Sequence, residues 1–219
     1  MAQNRGPVEQ TDFAESSVVS GPSSECVFCT RDEQPAILFE TPSLYAMPDR
    51  YPLLPGHILI ISKEHRRCYA QAPRSMDAEL EEASARVRRF LMEEYGTVSL
   101  AWENGAFGQT VYHAHLHLIP VRNQALPPEV VSIPAISRID CWEPVRAEFV
   151  EAGGYRYFEV GGERWMISGR GVLGPIRDWL SEATGLRHDG REWFRTTTPD
   201  DVAEVVRRWD AWKGATRNP

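Results

Sequence analysis

Three histidines alternate with apolar residues near the middle of the chain, in the stretch His113-Ala114-His115-Leu116-His117. Half of the six histidines of the protein lie in this one stretch. Because side chains alternate between the two faces of a β-strand, a strand here would line up three imidazoles on one face. The apolar residues from Tyr112 to Leu118 would then cover a core on the other face. Such a row is costly unless the imidazoles bind a metal, a phosphate or one another, and the spacing therefore predicts a functional site.

A pair of cysteines, Cys26 and Cys29, supplies a second set of candidate ligands. By itself this CxxC pattern is weak, because two cysteines so placed could equally be buried apolar residues. Four cysteines in 219 residues do not form a disulfide scaffold. The other two, Cys68 and Cys141, stand alone and are predicted to be buried packing residues.

The elements that must position these groups alternate between short strands and one long helix. Strands are predicted near 36–40, 44–47, 57–62 and 98–102, with the third at the centre of the sheet because both of its faces are apolar. A helix is predicted over 75–95, with Ser75 as its N-cap and Gly96 at its end. This order predicts an α+β fold in which one helix crosses an antiparallel sheet.

The two ends of the chain have a different character. Residues 1–24 are rich in Ser, Gln, Glu, Gly and Pro, which predicts a flexible leader. Beyond Arg122 the pattern weakens, although residues 155–160 and 164–167 predict a hairpin that turns at two glycines. Helices are predicted near 176–183 and 199–212, the second with Thr198 as N-cap and its tryptophans in the core.

Composition limits the classes of function. The formal net charge of −7 argues against a broad basic surface for nucleic acid, although a small nucleotide could still bind at a local site. Hydrophobic residues make up 42% of the chain, but no apolar run reaches the length of a membrane span. We therefore expect a cytoplasmic protein that binds neither a membrane nor an extended nucleic acid.

The histidine stretch resembles the signature of the histidine triad (HIT) superfamily of nucleotide hydrolases and transferases, His-φ-His-φ-His-φ-φ with φ apolar. The preceding Gly108-Gln109-Thr110-Val111 also resembles the family's lead-in. The resemblance covers about residues 26–125 and implies a HIT-like antiparallel sheet of about five strands with a long helix. We accordingly predict a leader (1–24), a catalytic domain (25–125) and an α+β C-terminal extension (126–219) with a hairpin and two helices.

The resemblance also implies roles for individual residues. It makes His115 the nucleophile, flanked by His113 and His117, which would fix its tautomer and donate to phosphate oxygens. His57 would support the triad from a neighbouring strand. The residues implied to contact the nucleotide are Asp49, at the ribose, together with Asn104, Gln109 and Thr110. For Asp49 a structural role in an Asx turn remains an alternative.

Zinc is implied by the same resemblance, because several branches of the family pair an N-terminal CxxC with a mid-chain histidine and the first triad histidine. Here these residues are Cys26, Cys29, His65 and His113, an accepted set of ligands for a closed, structural zinc site. One departure is that Ser62-Lys63-Glu64-His65 lacks the proline that the family usually has before this histidine.

The resemblance implies an enzyme that cleaves a nucleoside monophosphate conjugate at its α-phosphate through a nucleotidyl-histidine. Phosphoramidates and dinucleoside polyphosphates are the implied substrates, and a purine is the expected base. One alternative is a nucleotidyltransferase or phosphorylase that uses the same intermediate. His117 slightly favours hydrolysis, since the uridylyltransferase branch has glutamine there. The other alternative is a catalytically silent module that binds a nucleotide or RNA. Small members of the family commonly form dimers, so a homodimer is also considered.

Overall fold

The structure is a computed structural model, and it describes residues 26–30, 36–121, 135–168 and 199–215. The predicted leader, the helix predicted near 176–183 and the Thr198 cap lie outside these residues. The described residues form strands and α-helices in the following order: β1 (Phe39–Glu40), β2 (Leu44–Pro48), β3 (Ile58–Ser62), α1 (Asp77–Tyr95), β4 (Val98–Glu103), β5 (His115–Val121), β6 (Ile136–Ile139), α2 (Glu143–Ala152), β7 (Tyr155–Val160), β8 (Glu163–Ser168) and α3 (Pro199–Ala215).

All of the strands pair in one antiparallel sheet, in the order β1-β2-β3-β5-β4-β7-β8-β6. The first five of the eight described strands are neighbours in this sheet, as the resemblance implied, and β3 lies between β2 and β5 as predicted. The β7–β8 hairpin is also confirmed, and it adds to the same sheet beside β4. The described part of the predicted extension therefore continues the sheet, while the domain boundary at residue 125 stays a prediction.

One face of the sheet packs against the helices. Leu80, Val87 and Phe90 of α1 are buried there with Leu116 and Leu118 of β5. Gly96 ends α1 with a left-handed backbone (φ 65°), as predicted. The N-cap prediction was wrong, because Ser75 lies inside a 3₁₀ turn and the helix begins at Asp77 without a side-chain cap.

Strand β6 and helix α2 were not predicted from the sequence. Two of the four residues of β6 are exposed and polar, so the strand has little of the apolar pattern that marks one. The helix α2 carries a proline in its first turn and ends at Gly153 (φ 75°), signals that are clear only once the helix is known.

The aromatic residues of α3 pack in the core, as predicted. Trp209 stacks on Phe39 at 5.4 Å and meets Phe90 edge-on at 4.9 Å, while Trp212 contacts Phe90 at 5.6 Å. The prediction for Cys141 was wrong, since it is exposed, whereas Cys68 is buried as expected. Among the helices of the described residues, none combines the length and the apolar character needed to cross a membrane.

Candidate active site

The opposite face of the sheet carries the histidines. Strand β5 begins at His115, so His115 and His117 share this face and their rings lie 4.7 Å apart. The predicted row of three is wrong for His113, which precedes the strand and directs its ring toward the cysteines. The prediction that Tyr112 covers the core was also wrong, because Tyr112 precedes the strand and is 59% exposed.

The hydrogen bond of His115 defines which of its ring nitrogens carries the proton. Its Nδ1 lies 2.6 Å from the backbone carbonyl oxygen of His113. A carbonyl only accepts, so Nδ1 carries the proton and Nε2 carries the lone pair in the neutral ring. The backbone, rather than the flanking imidazoles, therefore fixes the tautomer of His115 and leaves the lone pair on Nε2.

A chain of hydrogen bonds orients His117 in the same way. The backbone N–H of Leu53 donates to Nδ1 of His57 at 3.1 Å, so the neutral His57 ring carries its proton on Nε2. That Nε2 lies 3.0 Å from Nδ1 of His117 and donates to it. The proton of neutral His117 is consequently on its Nε2, which makes this atom a hydrogen-bond donor.

Asp49 is buried beside this histidine pair, and its two carboxylate oxygens make contacts of different kinds. Its Oδ1 accepts from the backbone N–H of Tyr51 at 2.8 Å, which is the Asx-turn arrangement left open by the sequence. Its Oδ2 lies 3.4 Å from Nε2 of His57 and 3.7 Å from Nδ1 of His117. The Asx turn is therefore confirmed and holds the carboxylate beside the histidines, while a contact of Asp49 with a ribose stays a prediction.

Two aromatic residues that the sequence did not mark also shape the site. Trp102 of β4 pairs with His117 across the strands and stacks on its ring, with centroids 4.2 Å apart and planes 1° from parallel. Phe28, between the two cysteines, meets the ring of His115 at 5.3 Å and that of His113 at 5.8 Å. Only the alternation along β4 could have placed Trp102 on this face.

The remaining predicted residues surround the entry to β5. Asn104 follows β4 and is buried, as is Gln109, whereas Thr110 is exposed. The Gln109 amide donates to the backbone oxygen of Arg67 at 2.8 Å. Its Oε1 is buried and has no hydrogen-bond partner among the described residues. The structure thus brings these three side chains to the loop before the triad, with their contacts to a ligand still a prediction.

The predicted metal ligands come together at one point. One ligand atom each from Cys26, Cys29, His65 and His113 can be chosen so that all lie within 4.8 Å of one another. The sulfur-to-nitrogen distances are 3.4 Å (Cys26 to His113), 3.2 Å (Cys29 to His65) and 3.6 Å (Cys29 to His113). Ligands about 2.0–2.3 Å from a tetrahedral zinc ion would be separated by about 3.5 Å, so the cluster fits zinc.

The second nitrogen of His113 supports this fit. Its Nε2 donates to the backbone oxygen of Ser62 at 2.7 Å, which leaves the Nδ1 lone pair facing the sulfurs. Burial lowers the pKa of His113 from 6.5 to about 4, so the ring is neutral near pH 7. A neutral imidazole with its lone pair directed at two thiols is the form that binds a metal.

Three alternating histidines that lead into a strand of an antiparallel sheet, the first beside a Cys/His cluster and the other two on the strand, are the pattern of a histidine triad protein. The chain belongs to the HIT family: residues 31–124 match the HIT domain. A HIT-like protein of Synechococcus elongatus, itself uncharacterized, is 36% identical over 104 residues, which span 45% of this chain and 90% of that protein.

Two relatives have names that state an activity. An adenylylsulfatase of Arabidopsis thaliana is 34% identical over 103 residues, which span 44% of this chain and 52% of that protein. The match thus covers about half of the plant protein. An adenosine 5'-monophosphoramidase of Saccharomyces cerevisiae is 29% identical over 125 residues, spanning 54% of this chain and 78% of the yeast protein.

Solved structures of HIT proteins are also similar to this chain. A zinc-bound histidine triad family protein from Mycobacterium smegmatis is 31% identical, with a TM-score of 0.41, and covers 45% of this chain and 76% of its own.

Proposed function

We propose that the protein is a nucleotide hydrolase that acts at the α-phosphate of a nucleoside monophosphate conjugate. The observation that carries this proposal is the 2.6 Å hydrogen bond from Nδ1 of His115 to the His113 carbonyl, which leaves the lone pair on Nε2. An imidazole nitrogen so prepared is a nucleophile for phosphorus. The two relatives with named activities act on adenylyl conjugates, which supports a purine nucleotide as the substrate.

The reaction would proceed in two displacements. Nε2 of His115 attacks the α-phosphorus, a P–N bond forms, and the bond from phosphorus to the leaving group breaks with its electron pair on the leaving group, which, when it is an amine, takes the proton from Nε2 of His117. Water then attacks the same phosphorus and gives up a proton, to Nε2 of His117 where that atom was deprotonated in the first step and otherwise to solvent. The P–N bond breaks with its electron pair on Nε2 of His115, and the nucleoside monophosphate is released. Splitting one displacement into two lowers each barrier.

The other residues would bind and orient the substrate. The N–H at Nε2 of His117 is oriented by His57 to donate to a phosphate oxygen or to the leaving group. Asp49 would accept from the ribose hydroxyls, and Asn104, Gln109 and Thr110 would donate to phosphate oxygens.

A structural zinc ion is part of the same proposal. Cys26, Cys29, His65 and His113 would hold it with four protein ligands, which leaves no open position for a substrate or water. When bound, zinc would supply fixed geometry: it would tie the Cys26–Cys29 segment, and with it Phe28, to the start of the triad strand. The imidazole chemistry would remain with His115 and His117.

The test is to incubate the purified protein with adenosine 5'-phosphoramidate, adenosine 5'-phosphosulfate and diadenosine polyphosphates, and to follow AMP release. We expect turnover by the wild type, none by His115→Ala, and unchanged turnover by Tyr112→Phe, an exposed neighbour. Consumption of substrate with the adenylyl group on an acceptor other than water would identify the transferase. Tight AMP binding without any turnover would overturn the hydrolase and favour the binding module.

A further inference from the structure

One arginine of the C-terminal extension lies on the same face of the sheet as the histidines. Strand β7 pairs with β4 so that Phe158 is opposite Trp102 and Tyr157 is opposite Glu103. Trp102 stacks on His117, and Phe158 packs in the same cluster as Trp102. Since side chains alternate along a strand, Arg156 lies on this histidine face, while Tyr155 and Tyr157 pack on the helical face.

The strand register places Arg156 at the same end of the sheet as the proposed nucleophile. Trp102, near the end of β4, is opposite His117 in β5, and Asn104 follows two residues later at the end of the sheet where β5 begins with His115. The register with β7 sets the same position opposite Arg156. His115 at the start of β5, Asn104 just after β4 and Arg156 near the start of β7 therefore lie at the same end of three neighbouring strands.

The guanidinium reaches the loop that leads into the triad. Nη2 of Arg156 is 3.4 Å from the position that a Cβ on Gly108 would occupy, and Gly108 directly precedes Gln109. The loop is held against the start of β7 by the Tyr155 backbone N–H, which donates to the Gly105 oxygen at 2.9 Å. The position of Arg156 beside the predicted phosphate-binding residues is thus set by the backbone.

The site otherwise has no permanent positive charge among its predicted substrate-binding and catalytic residues, which are neutral or, like Asp49, acidic. A nucleotide conjugate brings negative charge both at its α-phosphate and at many leaving groups. A guanidinium stays protonated and can donate two parallel hydrogen bonds to an anion. Arg156 is only 9% exposed, and charge interactions are stronger where water is excluded.

The order of strands indicates which part of the substrate lies near Arg156. Asp49 follows β2 and Arg156 belongs to β7, with the histidine strand β5 between them. With the ribose at Asp49 and the α-phosphorus at His115, the leaving group extends toward β7. Resting on the proposed function, we infer that Arg156 binds the leaving group and gives the enzyme a preference for anionic leaving groups, such as sulfate or phosphate, over amines.

The test compares two substrates that share the adenylyl group: adenosine 5'-phosphosulfate, which releases sulfate, and adenosine 5'-phosphoramidate, which releases ammonia. In Arg156→Gln, kcat/KM for the phosphosulfate should fall by about 10- to 100-fold, the effect of losing a charged hydrogen bond, while the phosphoramidate changes far less. KM should rise because the sulfate is already anionic in the bound substrate, and kcat should fall because further negative charge develops on the sulfate as its bond to phosphorus breaks. Arg156→Lys should restore part of the ratio.

Arg164→Gln is the matched control. Arg164 belongs to the same hairpin, but it lies on the helical face, where it pairs with Glu81 and Glu159. Its removal should leave the ratio of the two substrates unchanged. An equal fall for both substrates in Arg156→Gln, or no fall, would overturn the inference by showing that Arg156 is only structural. If a thermal melt shows that Arg156→Gln does not fold, the test uses Arg156→Lys. The inference is then overturned if the ratio of kcat/KM for the phosphosulfate to kcat/KM for the phosphoramidate in Arg156→Lys equals the wild-type ratio.

A binding experiment separates this inference from the proposed function. If the wild type turns over neither substrate, the hydrolase is wrong, but calorimetric titration with ADP and AMP still tests Arg156. The β-phosphate of ADP occupies the place of the leaving group. Arg156→Gln should then weaken ADP binding more than AMP binding, by about 10-fold or more. Equal weakening of both ligands would contradict a role at the leaving group.

Discussion

At the scale of single residues, backbone groups determine the chemistry of the side chains in this site. The His113 carbonyl sets the tautomer of His115, and the Leu53 N–H sets that of His57 and, through it, of His117. These hydrogen bonds depend on the path of the backbone. The sequence could therefore indicate which histidines matter, but not which nitrogen of each ring carries the proton.

A buried carboxyl group, Glu103, has an environment that the sequence does not reveal. Its oxygens accept from the backbone N–H of Tyr69 at 2.8 Å and from the hydroxyl of Tyr155. Burial nevertheless raises the pKa of Glu103 from 4.5 to about 7. Between these two pH values the folded protein holds a proton that the unfolded chain has lost, so this group makes the protein less stable as the pH rises.

We predict from this that Glu103→Gln gains stability relative to the wild type as the pH increases from 4 to 8. The difference in the free energy of unfolding between the two proteins should change by about 3 kcal/mol over this range, because a shift of one pKa unit corresponds to about 1.4 kcal/mol. Urea unfolding of both proteins at several pH values measures it, and contributions of other groups, such as His113, cancel in the difference. Glu82→Gln, on the exposed surface of α1, controls for the loss of one negative charge. A difference that does not depend on pH would contradict the prediction.

At the scale of elements, the loop between β4 and β5 depends on close contact with β7. Gly105 has φ +52°, and a Cβ there would lie 2.6 Å from the ring of Tyr155 and against its carbonyl oxygen. Gly96, at the end of α1, has a similar φ of +65° but nothing within 4 Å of such a Cβ. The two glycines thus share the strained conformation and differ only in their surroundings.

Replacing each glycine by alanine should separate the two effects. Gly96→Ala should cost about 1 kcal/mol of stability for the positive φ alone. Gly105→Ala should cost at least about 2 kcal/mol more, the effect of overpacking, and should lower activity because the loop carries Gln109 and Thr110. Urea unfolding and AMP release measure both variants. Equal losses in the two would mean that the loop and β7 are not packed as described.

Most of the elements around the site could be predicted from sequence patterns, since β2, β3, α1, β4 and the β7–β8 hairpin have clear apolar periods and turn residues. Sequence patterns fail to predict the structure where contacts with residues distant in the sequence determine it. His113 leaves the predicted strand because its ring joins the cysteines, and β6 forms by pairing with β8 rather than by its own apolar pattern. The partnership of β7 with β4, which places Arg156 beside the site, is likewise a tertiary feature without a local signal.

At the scale of the whole molecule, the Cys/His cluster connects a short segment to the sheet. The Cys26–Cys29 segment also contacts the sheet through the Phe28 carbonyl, which accepts from the Tyr45 hydroxyl at 2.8 Å. Phe28 in turn packs on His113 and His115. Zinc at this cluster would therefore stabilise both the fold and the surroundings of His115, the proposed nucleophile.

Elemental analysis should find about one zinc ion per chain in the wild type and a strongly reduced content in Cys26→Ser. The variant should also melt at a lower temperature, because a metal that binds only the folded state stabilises it. Cys141→Ser, which changes an exposed cysteine outside the cluster, should retain the zinc and the melting temperature. A wild type without metal, or a Cys26→Ser variant that keeps it, would contradict the zinc proposal.

The covalent intermediate is the central claim, and intact-protein mass spectrometry tests it most directly. The wild type and His115→Ala should be mixed with adenosine 5'-phosphosulfate, quenched within one turnover and measured. We predict that the wild type gains the mass of one adenylyl group, that peptide mapping places it on His115, and that His115→Ala gains none. AMP release with no adduct on the wild type at any quench time, or an adduct on another residue, would contradict the nucleotidyl-histidine mechanism.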